Sequence, residues 1–239
     1  MNLKDMLGYD FKRSDGKREE AKAKQDKVVL ELICLGYEEF IAKQNEDTDY
    51  PVIPTEITDR YNPTKEQILE FSRALVNYKD LNEFLWATSH YLTALMHSSK
   101  DTEFEIDLTE LNKAGKTLDW LGCFLQGKKL TLKGNAGDNF GAYAKNSNII
   151  VNGNAKDNVG EAAQNSQIIV DGNAGDSVGN EALNSNITIN GNAGDLVGWD
   201  AKNCKIYIKG SYAALSGEIG EGTEIYQTQN GNWNRVYPK

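Results

Sequence analysis

Four aspartates, Asp138, Asp157, Asp176 and Asp195, recur with a period of 19. Stacked in a fold, carboxylates about 5 Å apart repel by roughly 1 kcal/mol in water and by more at lower effective dielectric, so the column needs relief. A divalent cation would supply it. Backbone amides would too, because Asp at a turn accepts hydrogen bonds from N–H groups one or two residues on; that capping role is the expectation here. His90 and His97 are the only histidines. Seven positions apart on one helix, they could share a face with Glu83, the minimum for a metal site. The simpler expectation puts His97 near a helix end whose carbonyls favour a cation, and His90 at the boundary of a helical bundle. Ser147, Ser166 and Ser185 recur with the same period, but no histidine lies in the second half, so no Ser, His and Asp set can be assembled there. Cys34, Cys123 and Cys204 are odd in number and contain no CxxC pair. That argues against a disulfide framework or a cysteine zinc site and for reduced thiols in packed positions. No catalytic residue, cofactor-binding residue or metal ligand is assigned.

The elements that position these residues follow from a repeat. GNAGDNFG starts at Gly134, GNAKDNVG at Gly153, GNAGDSVG at Gly172 and GNAGDLVG at Gly191, an exact 19-residue period. The pattern extends with decay to Gly210 (GSYAALSG) and back to Gly115 (GKTLDWLG), about five to six units over roughly residues 112–228. Four positions before the leading glycine stand Leu130, Ile149, Ile168, Ile187 and Ile206; two before it stand Leu132, Val151, Val170, Ile189 and Ile208. Two apolar positions separated by one residue mark one short strand per unit. Leu121, Phe140, Val159, Val178 and Val197 form a second inward column, and Ala144, Ala163, Ala182 and Ala201 a third. One unit is too short for a blade of several strands but fits one circuit of a parallel β-helix, with neighbours about 4.8 Å apart. Asn135, Asn154, Asn173 and Asn192 form one asparagine column, and Asn146, Asn165, Asn184 and Asn203 another. Stacked amides can bond along the rod, and Asn tolerates left-handed corners. Tyr207 and Tyr226 are expected to stack on the outer face near Trp199 and Trp233, as a sugar platform or a protein contact.

The spacing G-x-x-G-x-x-x-G, intact as Gly134, Gly137, Gly141, then Gly172, Gly175, Gly179, then Gly191, Gly194, Gly198, resembles the GXGXG repeat family. That family includes the C-terminal domain of the glutamate synthase large chain and one of the subunits of formylmethanofuran dehydrogenase, and the GNAGD wording is similar to the latter. Lys156 and Ala213 depart from the pattern at the middle glycine. The resemblance covers about half of the chain and implies a right-handed β-helix that organises domains without catalytic residues of its own. The wording is also similar to calcium-binding toxin-type β-rolls, but those have a nine-residue period, whereas GNAGD occurs here once per 19-residue unit.

Ahead of the repeat, Val28, Val29, Leu32, Ile33, Tyr37, Phe40 and Ile41 predict a helix over about residues 16–43, capped by Ser14 or Asp15. A proline-bearing connection runs from Asn45 to Asn62. Thr64 with Gln67, and Asp80 with Glu83, have capping-box spacing ahead of two further apolar-periodic segments. Residues 1–110 hold 23 acidic and 14 basic side chains, a balance of −9, whereas residues 111–239 hold 12 of each. An acidic chain without a basic stripe is not a general nucleic-acid binder. No stretch approaches the roughly 18 apolar residues of a membrane span and Met1–Asp10 lacks the features of a secretory signal, so the expected location is cytoplasmic.

The expected architecture is α + β: a helical domain over residues 1–110, then a right-handed parallel β-helix of 19-residue coils over residues 111–239 with a C-terminal cap. The apolar face of Leu81–Met96 is expected to cover the first circuit, and Gln227–Lys239 the last. The expected function is non-catalytic: a scaffold or protein-interaction component, with protein partners or self-association and no cofactor, free-standing or as a subunit of a larger oxidoreductase-type assembly. The acidic helical half is expected to select a partner with a basic patch. The alternative is a free-standing carbohydrate-active or ligand-binding β-helix protein.

Overall fold

The computed structural model describes residues 17–44, 61–80 and 84–238. The Ser14 or Asp15 cap, most of the proline-bearing connection and the Glu83 half of the second capping box lie outside them. Three helices come first: α1 (Lys17–Gln44), α2 (Lys65–Ala74), which continues into a 3-10 turn (Leu75–Tyr78), and α3 (Phe84–Ser98). The expected box opens α2. Thr64 Oγ1 accepts the Gln67 N–H at 3.4 Å and Gln67 Oε1 accepts the Thr64 N–H at 2.9 Å, satisfying two first-turn donors reciprocally. The face of α1 bearing Leu30, Ile33, Tyr37, Phe40 and Ile41 is buried. Five rings, Tyr37, Phe40, Phe71, Tyr78 and Tyr91, interlock in the bundle, Tyr37 meeting Tyr78 edge-on at 5.1 Å and Phe71 at 5.3 Å. Tyr37 bonds Thr88 at 2.6 Å and Tyr91 donates to the Ile33 carbonyl at 2.8 Å, as buried phenols require.

One sheet of eight strands follows: β1 (Glu103–Asp107), β2 (Lys129–Lys133), β3 (Asn148–Val151), β4 (Gln167–Val170), β5 (Asn186–Ile189), β6 (Lys205–Ile208), β7 (Glu224–Gln229) and β8 (Asn232–Tyr237), in that spatial order. β1 to β7 are parallel, one per circuit, and from β2 to β7 each residue pairs with the equivalent residue of the next 19-residue unit. This is a parallel β-solenoid. Ile149, Ile168, Ile187, Ile206 and Ile225 align inside at 0% exposure. Seven stacked strands make a rod about 29 Å long.

The parallel sheet begins at Glu103, within the stretch that composition groups with the helices. β1 carries no GNAGD, but Phe104 and Ile106 alternate inward like Leu130 and Leu132. Its circuit, from Glu103 to Lys129, is longer than those that follow, because the short helix α4 (Thr109–Lys113) is inserted. The circuit after Gly210 is irregular. Bridges pair Ala193 with Tyr212, then Val197 with Leu215, before the 19-residue register returns at Lys205 with Glu224, so the decayed repeat loses one position of register and recovers it.

The first end of the rod differs from expectation in the element that covers it. The element lying along β1 is α2, not α3, which packs behind it on α1 and α2. Ser72 Oγ on α2 accepts the Asp107 N–H at 3.0 Å and Arg73 pairs with Asp107 at 3.3 Å, so α2 satisfies part of an otherwise open strand edge. At the other end, β8 pairs antiparallel with β7 and brings Val236 and Tyr237 onto the core. Buried apolar residues run as one cluster from Leu30 on α1 to Ile225 on β7. No helix among the described residues is long and apolar enough to cross a membrane.

Candidate functional site

The aspartate column faces the backbone. Asp138 N–H donates to Asp119 Oδ1 at 2.9 Å, Asp157 N–H to Asp138 Oδ1 at 3.1 Å, Asp176 N–H to Asp157 Oδ1 at 2.8 Å and Asp195 N–H to Asp176 Oδ1 at 2.8 Å. Relief by amides is therefore the observed device, but the amide belongs to the next circuit and not to a residue one or two positions on. Stacking brings that next N–H within strand spacing, and every carboxylate below Asp195 gains a dipole that offsets its neighbour's charge. The ladder explains the middle glycine. A Cβ added to Gly137, Gly175 or Gly194 would collide with Oδ1 of Asp119, Asp157 or Asp176. Where Lys156 replaces that glycine, the bond alongside it, Asp157 to Asp138, is the longest of the four. The third glycine of each unit has another cause: Gly141, Gly160, Gly179 and Gly198 have φ between +70° and +79°, where a side chain is strained.

The two asparagine columns divide the roles expected of them. Asn135, Asn154, Asn173 and Asn192 form a ladder in which each Oδ1 accepts the next circuit's N–H at 2.8–2.9 Å, ending at Ser211. Asn112 on α4 caps its lower end, accepting the Asn135 N–H at 2.6 Å. Asn146, Asn165, Asn184 and Asn203 are exposed left-handed corners with φ of 49–52°. The serines form a third, buried ladder. Ser147 Oγ donates to the Lys145 or Leu125 carbonyl, Ser166 Oγ accepts the Ser147 N–H, and Ser185 Oγ accepts the Ser166 N–H. Cys204 and Thr223 continue the column.

The three thiols are free and buried. Burial pushes Cys34 up to about 11 and Cys123 up to about 12, so neither is a thiolate near neutrality. His90 is buried in the bundle at 2% exposure, not at its boundary. His97 sits in the last turn of α3 as expected, but burial, and then Lys128, lower its pKa below the usual value, against the expected cation. Lys128 has taken the cation's place at the end of α3, donating to the Ser99 and Asp101 carbonyls at 3.0 and 2.8 Å. Tyr207 and Tyr226 stack at 4.9 Å and 12°, with Trp233 edge-on to Tyr207. Trp199 is not beside them; its indole N–H donates to Glu218 at 3.3 Å, on the corner bridged to Ile219. Among the described residues no three His, Cys, Asp or Glu side chains are placed to hold a metal.

Sequence reasoning missed one carboxylate pair. Glu161 is half-buried, and burial followed by the charge of Glu181 raises its pKa. Glu181 lies one circuit up and one position along, so a search of single columns passes over the pair; plotting the chain on its 19-residue lattice makes them neighbours. The corner beside the serine ladder forms an open groove of about 630 Å³. Asn146, Asn165 and Asn184 line one side, Asn148 and Gln167 the other, with Lys128 at one end. Asn148 Oδ1 is buried there without a hydrogen-bond partner.

No family model, curated protein or solved structure matches this chain.

Proposed function

We propose that the protein is a non-catalytic scaffold acting through protein–protein contact. The observation that carries this reading is the fate of the reactive-looking columns: the aspartates, one column of asparagines and the serines hold adjacent circuits together, and the thiols are buried and protonated. A rod built this way presents a rigid, regular surface and commits its polar groups to its own backbone. The G-x-x-G-x-x-x-G spacing, similar to that of GXGXG repeats, supports a domain-organising role within a larger enzyme assembly. The test is native-condition purification of the tagged full-length chain with the mass read by light scattering. A complex of fixed stoichiometry above the 26.5 kDa of the chain is expected. A lone 26.5 kDa species under all conditions overturns the reading.

The amide-lined groove favours a second reading, binding of a polyhydroxylated ligand such as an oligosaccharide. Its volume falls within the range of small-ligand sites. A thermal shift with oligosaccharides, lost on replacing Asn165 and Gln167 by Ala, would favour it over the scaffold.

A further inference from the structure

We propose that α1 is an antiparallel dimerisation helix and that its partner is a second copy of this chain. The proposal rests on the protein-contact reading and specifies it. Ile33, Tyr37 and Phe40 anchor one face of α1 in the bundle, but Val28, Leu32 and Leu35 are 47%, 42% and 52% exposed. Positions i, i+4 and i+7 form one stripe, the pattern by which a helix docks on another helix. An aliphatic stripe of this kind on an otherwise charged helix needs an occupant.

Charge selects that occupant. Residues 17–30 hold five basic side chains (Lys17, Arg18, Lys22, Lys24, Lys27) and three acidic ones, a balance of +2. Residues 31–44 hold one basic side chain (Lys43) and three acidic ones (Glu31, Glu38, Glu39), a balance of −2. The helix is therefore self-complementary in one direction. A two-fold axis near Leu32 sets the basic half of each copy against the acidic half of the other and the apolar stripe against itself; parallel pairing would oppose like charges. A lipid surface fits poorly, since the acidic half is repelled by anionic headgroups and the helix as a whole carries no net charge. With three large apolar side chains per copy the contact belongs to the small interface class, so the dimer is reversible and concentration-dependent.

Sedimentation velocity on the full-length chain, from low micromolar to several hundred micromolar, tests this. A monomer–dimer equilibrium that weakens with salt is expected, because exposed charges are screened. Leu32→Glu with Leu35→Glu should weaken it at least tenfold without changing circular dichroism or melting temperature, since both positions are exposed. Lys24→Glu with Lys27→Glu, and separately Glu31→Lys with Glu39→Lys, should each abolish self-association, and mixing the two variants should restore a dimer. A chain that is monomeric throughout overturns the proposal, as does a dimer that survives the leucine substitutions. If instead the leucine variant loses a different protein while the chain alone is monomeric, the stripe belongs to that partner; the dimer is then refuted and the scaffold reading stands.

Discussion

The helical end and the solenoid solve the same burial problem with opposite degrees of redundancy. In the bundle, Tyr37, Phe71, Tyr78 and Tyr91 each occupy a unique place among interlocked rings, and no other residue does the same work. In the solenoid, Ile149, Ile168, Ile187 and Ile206 do the same work four times, and the Asp, Asn and Ser ladders tie each circuit only to its neighbours. Stability in the rod is therefore a sum of nearest-neighbour terms that depends on register, whereas stability in the bundle depends on individual side chains.

The largest expected effect breaks register. Inserting one residue after Val170, where β4 ends, shifts every later position of that circuit against its neighbours and misaligns all three ladders, so cooperative unfolding should be lost; deleting one whole unit, Gly172 to Asn190, should leave a shorter folded rod. Equal damage in the two melting curves would refute the repeat argument. Next comes the bundle: Tyr91→Ala removes a ring at 0% exposure and should destabilise by about 3–5 kcal/mol. Val178→Ala, in a column that neighbouring circuits support, should lose about 1–3 kcal/mol by the same cavity argument. Chemical denaturation of both variants measures the contrast.

A smaller effect sharpens the account of the ladder. Gly175→Ala collides with the Asp157 carboxylate, so it should destabilise more in the native sequence than in an Asp157→Ala background, with a coupling of about 1 kcal/mol in a double-mutant cycle. Additive costs would show that the glycine is needed for another reason.

The smallest effects are read from pH. His97 has a lowered pKa, so the unfolded chain binds more protons below the usual value near 6.5. Stability should fall on acidification through that window, and His97→Gln should flatten the fall. Glu161 has the opposite sign. Its pKa is raised, the folded state favours the protonated form, and ionisation destabilises as pH rises; Glu161→Gln should raise the melting temperature at neutral pH by about 1–2 °C and by nothing in acid.

Charge is where sequence and structure part most clearly. By composition residues 1–110 are an acidic half, yet three of its carboxylates, all on β1, are paired within the fold: Glu103 with Lys129 at 3.1 Å, Glu105 with Lys133 at 2.7 Å and Asp107 with Arg73 at 3.3 Å. These acids join β1 to the second circuit and to α2, because a parallel sheet places 129 and 133 beside 103 and 107 and hence beside the acids between them. Counting charges along the chain cannot register that pairing.

What the sequence determined by itself was everything that repeats. Period 19, the inward columns and the alternation of each strand are properties of short segments, since side-chain direction along a strand has period 2 and a repeated unit must stack. The capping box at Thr64 and Gln67 was legible for the same reason, its partners being three positions apart. What only the tertiary structure decided were partnerships across circuits and between elements: which amide relieves Asp138, why Gly175 must lack a side chain, that Lys128 replaces His97 as the cation at the end of α3, and that α2 covers β1. Each depends on groups about a circuit or more apart along the chain approaching within a few ångströms. Local spacing fixes the direction in which a side chain leaves the backbone, and the packed fold fixes what it meets.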